Sequence, residues 1–150
     1  MLQYGAILVK ICVPDKNGDL KDVVLGYDDI RGYEINGCFF GAIIGRSGNR
    51  IENSRFFIDD KEVVLAENEN HNNLHSGPDG FEKKLWEVKE ISQEKNSVDF
   101  FRISPDGENG FPGEFSIVVK YEFTEENELK IFYRGRSDAA TVANMTNHSY

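Results

Sequence analysis

Strict alternation across residues 114–123, EFSIVVKYEF, constrains this chain more than any other feature. Phe115, Ile117, Val119, Tyr121 and Phe123 fall on one side of an extended backbone, and Glu114, Ser116, Lys120 and Glu122 on the other. Successive side chains of a strand point to opposite faces, so this is the pattern of a strand with one face buried and one in water. Beyond the polar break Thr124-Glu125-Glu126-Asn127, Leu129, Ile131 and Tyr133 alternate in the same way, which predicts an antiparallel hairpin of 114–123 with 128–134. Phe56, Phe57 and Ile58 ahead of Asp59-Asp60-Lys61, with Val63, Val64 and Leu65 behind it, predict a second hairpin. Further strands are expected at 6–12, 85–91 and 98–103, and no segment sustains a helical period. The expectation is an all-β protein of antiparallel sheets with negligible helix.

The stretches 66–82 and 104–114 are rich in Asn, Gly, Asp and Pro and read as long ordered loops, which inside compact domains are often functional. No repeat or linker divides the chain, so 150 residues read as one domain or a large part of one. Strand-like sequence begins close to Met1 and the chain stops at Tyr150 without a polar tail, which predicts a piece of a longer domain.

Twenty-six acidic residues against 17 basic ones leave a formal charge of −9, which repels phosphate backbones and anionic headgroups. Neither nucleic acid nor a membrane surface is an expected partner. Cys12 and Cys38 form no CxxC motif or Cys/His cluster and read as free thiols of a reducing compartment. The start, MLQYGAILVKICV, lacks the basic n-region of a secretory signal, and no apolar run is of membrane-spanning length. A cytoplasmic protein is expected, and the sequons at Asn144 and Asn147 are then chance matches.

Three polar clusters carry the chemistry: GRSGNRI at 45–51, HNNLHSG at 71–77 and NMTNHSY at 144–150. A sugar presents hydroxyls that each donate and accept, and discriminating among them requires side chains capable of paired hydrogen bonds. Asn49, Arg50, Asn73, His75, Asn147 and His148 form such a set. GRSGNRI resembles a phosphate loop only superficially, since no Lys-Ser/Thr and no helix pattern follow it. His71 and His75 share an i, i+4 spacing, but the stretch lacks the glutamate of a zinc protease motif, so no metal is expected. No nucleophile elbow or reactive cysteine motif supports covalent hydrolysis.

The ordered series GYDDIRGY (26–33), FFGAIIGRSGNRI (39–51), NNLHSGPDGFEKKLW (72–86), SPDGENGFPGE (104–114) and NMTNHSY (144–150) resembles the aldose 1-epimerase family from about Gly5 to the last residue. The resemblance implies a galactose-mutarotase-like supersandwich of large antiparallel sheets, incomplete at the C-terminal side, and a free aldohexose such as galactose or glucose as substrate, with no cofactor. It implies that Asn49, Arg50 and His75 bind the sugar, that His148 is the catalytic acid, and that Ser149 and Tyr150 line the same site. Family members continue beyond NHSY, and the resemblance places the glutamate base and a sugar-binding aspartate in that continuation. Glu67, Glu69 and Asp79 match no family position for the base. Two departures bear on the site: Ser76 stands where the family has Gly and is expected to crowd a tight turn, and the absence of a family proline before NHSY is expected to loosen the approach to His148.

Three classes of function remain open: a mutarotase of which this chain is a part, a non-catalytic sugar-binding module without a base, and an assembly fragment whose cut sheets self-associate or await a completing chain. A hexose-6-phosphate epimerase is a narrower rival, disfavoured by the charge of −9.

Overall fold

The computed structural model describes residues 1–150. In chain order the strands are β1 (Cys12–Pro14), β2 (Leu20–Asp22), β3 (Ile43–Ile44), β4 (Arg50–Ile51), β5 (Arg55–Ile58), β6 (Lys61–Val64), β7 (Asn73–Leu74), β8 (Glu87–Ser92), β9 (Ser97–Ser104), β10 (Phe115–Phe123), β11 (Leu129–Ser137) and β12 (Thr146–Asn147). The largest sheet is an antiparallel meander ordered β11-β10-β9-β8, and β1-β2, β5-β6, β4-β7 and β12-β3 form separate antiparallel pairs. The protein is all-β, as the alternation predicts.

The hairpin of β10 and β11 runs in register from Phe115 opposite Ser137 to Phe123 opposite Leu129. On its inner face Phe115, Ile117, Val119 and Tyr121 are buried, and β9 adds Phe100 opposite Val119. Ala6, Leu8, Ile43, Phe81 and Trp86 close the core over this face. Each fully buried aliphatic or aromatic side chain of this kind contributes about 1.5–3 kcal/mol, so the sheet is the platform on which the loops rest. Arg102 also points inward, where its guanidinium lies 4.4 Å from the Phe81 ring centroid and pairs with Glu108 at 2.8 Å. That pairing satisfies a charge that burial would otherwise penalise.

Two sequence expectations need correction. Residues 6–12 do not form a strand: Gly5 and Ala6 turn at positive φ, and the chain enters a ladder only at Cys12. Ala6, Ile7 and Leu8 are buried because they pass between other segments, with Leu8 N–H donating to Gly41 O at 2.9 Å. An apolar run alone does not distinguish that course from a paired strand. A short helix, α1 (Ile30–Ile35), lies where no helical period is visible; it starts at Asp29, whose side chain accepts Gly32 N–H at 3.0 Å as an N-cap. No helix is long and apolar enough to cross a membrane. Cys12 and Cys38 are exposed and unpaired.

Candidate sugar-binding cleft

One wall of the site is carried by the β12-β3 pair. Thr146 and Asn147 pair with Ile44 and Ile43, and the ladder continues as His148 N–H donates to Ala42 O (2.9 Å) and Gly41 N–H to His148 O (3.1 Å). The Asn147 amide donates to Gly41 O (2.8 Å) and to the Tyr121 hydroxyl (3.1 Å), which donates to Ala6 O (2.9 Å). A residue of the buried face of β10 thus holds the backbone that carries His148.

The second wall comes from β4 and β7, where Arg50 pairs with Leu74 and Ile51 with Asn73. Just past this ladder, His75 N–H donates to Asn49 O (2.9 Å) and Asn49 N–H donates back to His75 Nδ1 (3.0 Å). Ser76 fits the tight turn it was expected to crowd. At φ 73° it is buried, and its hydroxyl accepts Ser47 N–H (2.7 Å) and donates to Ser47 O (3.0 Å). The hydrogen bonds offset a left-handed conformation that costs a non-glycine residue about 1–2 kcal/mol. Nor is the approach to His148 loose: Asn144 N–H donates to Arg46 O (2.8 Å) and Gly48 N–H to Asn144 O (2.7 Å).

These walls enclose an open cleft of about 540 Å³ lined by Asn49, Arg50, His75, His148, Ser149 and Tyr150. The six site residues implied by the family resemblance therefore lie in one place. The rings of His75 and His148 stand edge to face with centroids 5.0 Å apart, and Tyr150 lies 5.2 Å from His148. His148 Nδ1 and Ser149 Oγ are buried with no protein partner. Burial first, and the neighbouring His148 and Arg50 next, push His75 down to about 4, so it is a neutral imidazole at neutral pH. With Nδ1 accepting from Asn49, its proton sits on Nε2 as a donor.

Two asparagines expected among the sugar-directed groups have other work. Asn73 is fully buried outside the cleft and donates to Ala66 O (2.8 Å), while Asn147 lines the cleft but commits its amide to Gly41 and Tyr121. Sequence reasoning missed Phe39, whose ring lies 4.9 Å from His75 and 5.5 Å from His148. It sits at φ 59°, a backbone state that no local pattern announces for phenylalanine. Asn144 and Thr146 also line the cleft, and their membership in the NMTNHSY cluster was the available signal.

No three His, Cys, Asp or Glu side chains converge to hold a metal. A second groove, about 380 Å³, is lined largely by apolar residues such as Leu8, Ile11, Val98 and Phe123 and suits a polyhydroxy ligand poorly.

The family model of aldose 1-epimerase matches residues 1–150. The chain belongs to the aldose 1-epimerase family. Among its relatives, galactose mutarotase from Bos taurus is 42% identical over 150 residues, and aldose 1-epimerase from Escherichia coli K12 is 37% identical over the same span. The chain is covered completely in both, but it spans only 43% of the length of each relative. The crystal structure of the GalM/aldose epimerase homologue from C. elegans superposes with a TM-score of 0.92 at 36% identity, covering 99% of this chain and 45% of that one. Galactose 1-epimerase from Lactobacillus acidophilus gives 0.86 at 28% identity, covering 99% and 43%. The fold of this aldose 1-epimerase family member is therefore galactose-mutarotase-like.

Proposed function

We propose that the 150 residues are part of one aldose 1-epimerase domain that binds a free aldohexose, such as galactose or glucose, and interconverts its anomers. The convergence of Asn49, Arg50, His75 and His148 on one cleft carries this reading. His75 Nε2–H and the free N–H groups of Arg50 donate to sugar hydroxyls; the Asn49 side chain, Ser149 and Tyr150 complete the polar lining. His148 is the acid. A base takes the proton of the anomeric hydroxyl, the bond from C1 to the ring oxygen breaks, and His148 protonates that oxygen. Rotation about C1–C2 and the reverse transfers close the ring on the other face. The base belongs to the length of the relatives that this chain does not span. A reducing, cytoplasmic setting suits the two free thiols.

A second reading, a sugar-binding module without catalysis, is favoured by one observation: no Asp or Glu lines the cleft. Both readings require sugar in the cleft, and the third, an assembly fragment, does not. Titrating galactose into the isotopically labelled chain separates them. Resonance shifts centred on His75, His148 and Tyr150 are expected; shifts confined to other surfaces, or none at saturating sugar, would reject the site.

A further inference from the structure

We propose that Glu69 is a specificity-determining residue of this cleft: it neutralises Arg50, so that the site takes a neutral aldose in preference to one bearing a phosphate or carboxylate. The inference rests on the sugar-site reading above. Arg50 is the only Lys or Arg lining the cleft. Its fork is held by the Glu69 carboxylate at two points, Nε to Oε2 at 2.8 Å and Nη2 to Oε1. The pairing holds the Glu69 carboxyl below the usual carboxylate range, so it is ionised wherever the chain is folded near neutral pH.

The carboxylate is placed by a built turn. Asn70 and His71 both sit at positive φ, as the central residues of a type I′ turn do, and Asn72 N–H closes it onto Glu69 O at 2.8 Å. Asn72 Oδ1 accepts Asn53 N–H (3.0 Å), and the Asn68 side chain bonds both Leu74 N–H (2.7 Å) and Leu74 O (2.9 Å). The turn is thus tied to the chain on either side of the β4-β7 ladder that carries Arg50.

The chemical consequence concerns charge. A bare guanidinium in a cleft is the group that phosphates and carboxylates engage bidentately. With Glu69 in place, two of the five N–H donors are occupied and the positive charge is matched. Hydroxyls can still use the remaining donors, whereas an anion must displace a carboxylate or sit beside it.

The test compares galactose with galactose 6-phosphate by calorimetric titration of the 150-residue chain and of its Glu69→Gln and Glu69→Asp variants. The unmodified chain is expected to prefer galactose. Glu69→Gln should shift the affinity ratio toward the phosphate by about threefold to tenfold at low salt, the size expected for one unit charge at short range in a wet site. The shift should shrink at high salt, and Glu69→Asp should keep the original order of preference. An unchanged ratio in Glu69→Gln, with galactose still bound, overturns this inference and leaves the sugar site standing. Failure of the unmodified chain to bind either sugar overturns both.

Discussion

His75 and Asn49 exchange hydrogen bonds in both directions, backbone to backbone and backbone to ring, so the imidazole is oriented by the residue that precedes Arg50. This fixes a protonation behaviour. His75 is held at about 4 against an ordinary 6.5, so between those values the unfolded chain binds a proton that the folded chain refuses. Its contribution to stability is therefore lost as pH falls from 6.5 toward 4. An NMR titration should give a His75 midpoint near 4, with the Asn49 amide moving alongside it; a midpoint above 6 would contradict the bonded, buried ring.

Glu82 has the opposite sign. Burial pushes this carboxyl up to about 7 from 4.5, and its Oε2 has no partner. The folded chain binds the extra proton between 4.5 and 7, so the stability contributed by protonated Glu82 is present below 4.5 and lost as pH rises through 7. Glu82→Gln should raise unfolding free energy at pH 8 by about 1–3 kcal/mol and change it little at pH 4.5. Urea denaturation at the two pH values checks the difference; equal effects at both would mean that the carboxyl is not titrating there.

Arg46 is the buried cation of the GRSGNRI cluster, and its role is structural. Its five N–H groups donate to Ser104 Oγ, Pro112 O, Thr141 Oγ1, Ser104 O and Pro105 O. Arg46→Met should cost about 3–5 kcal/mol by stranding these acceptors. Arg46→Lys, which cannot reproduce the planar fork, should cost about 2 kcal/mol or more. Thermal melts of both variants decide, and a loss below about 0.5 kcal/mol for Arg46→Met would mean that water replaces the guanidinium freely.

Catalysis should fail for want of a base. Polarimetry of freshly dissolved α-galactose should show the 150-residue chain slower by about 10²- to 10⁴-fold than the same residues joined to the remaining segment of a full-length relative. In that joined protein, His148→Ala should lower the rate by a similar factor. Full activity in the 150-residue chain would place the base among its own residues. Undiminished activity after His148→Ala would remove that histidine as the acid.

What could be read in the sequence follows from how local each signal is. The β10-β11 hairpin was legible because nine residues of alternation determine which face is buried, and Phe115 to Tyr121 needed no tertiary information to be assigned inward. His75 and His148 were legible only as members of clusters resembling a family, since their meeting depends on two-residue ladders that no periodicity reveals. Ala6–Leu8 misled because burial between segments and burial within a sheet leave the same apolar run. α1 escaped because its six residues are too few for a 3.6-residue period to emerge, and Asp29 alone does not announce a cap. Glu69 was visible as an acidic residue, but its bond to Arg50 depends on a turn whose positive φ angles fall on asparagine and histidine rather than glycine.

The tie between Asn147 and Gly41, across 106 residues of chain, has a consequence for the order in which the molecule assembles. Closing so long a loop is entropically uphill until the segments it joins are already structured. The β10-β11 hairpin closes over a handful of residues, whereas the wall bearing His148 must wait for Tyr121, Gly41 and Ala42 to be in place. The candidate site is therefore expected to form late in folding. Pulse-labelled hydrogen exchange should find the His148 amide protected after those of 116–122, and a refolding intermediate should have its sheet before it can hold a sugar.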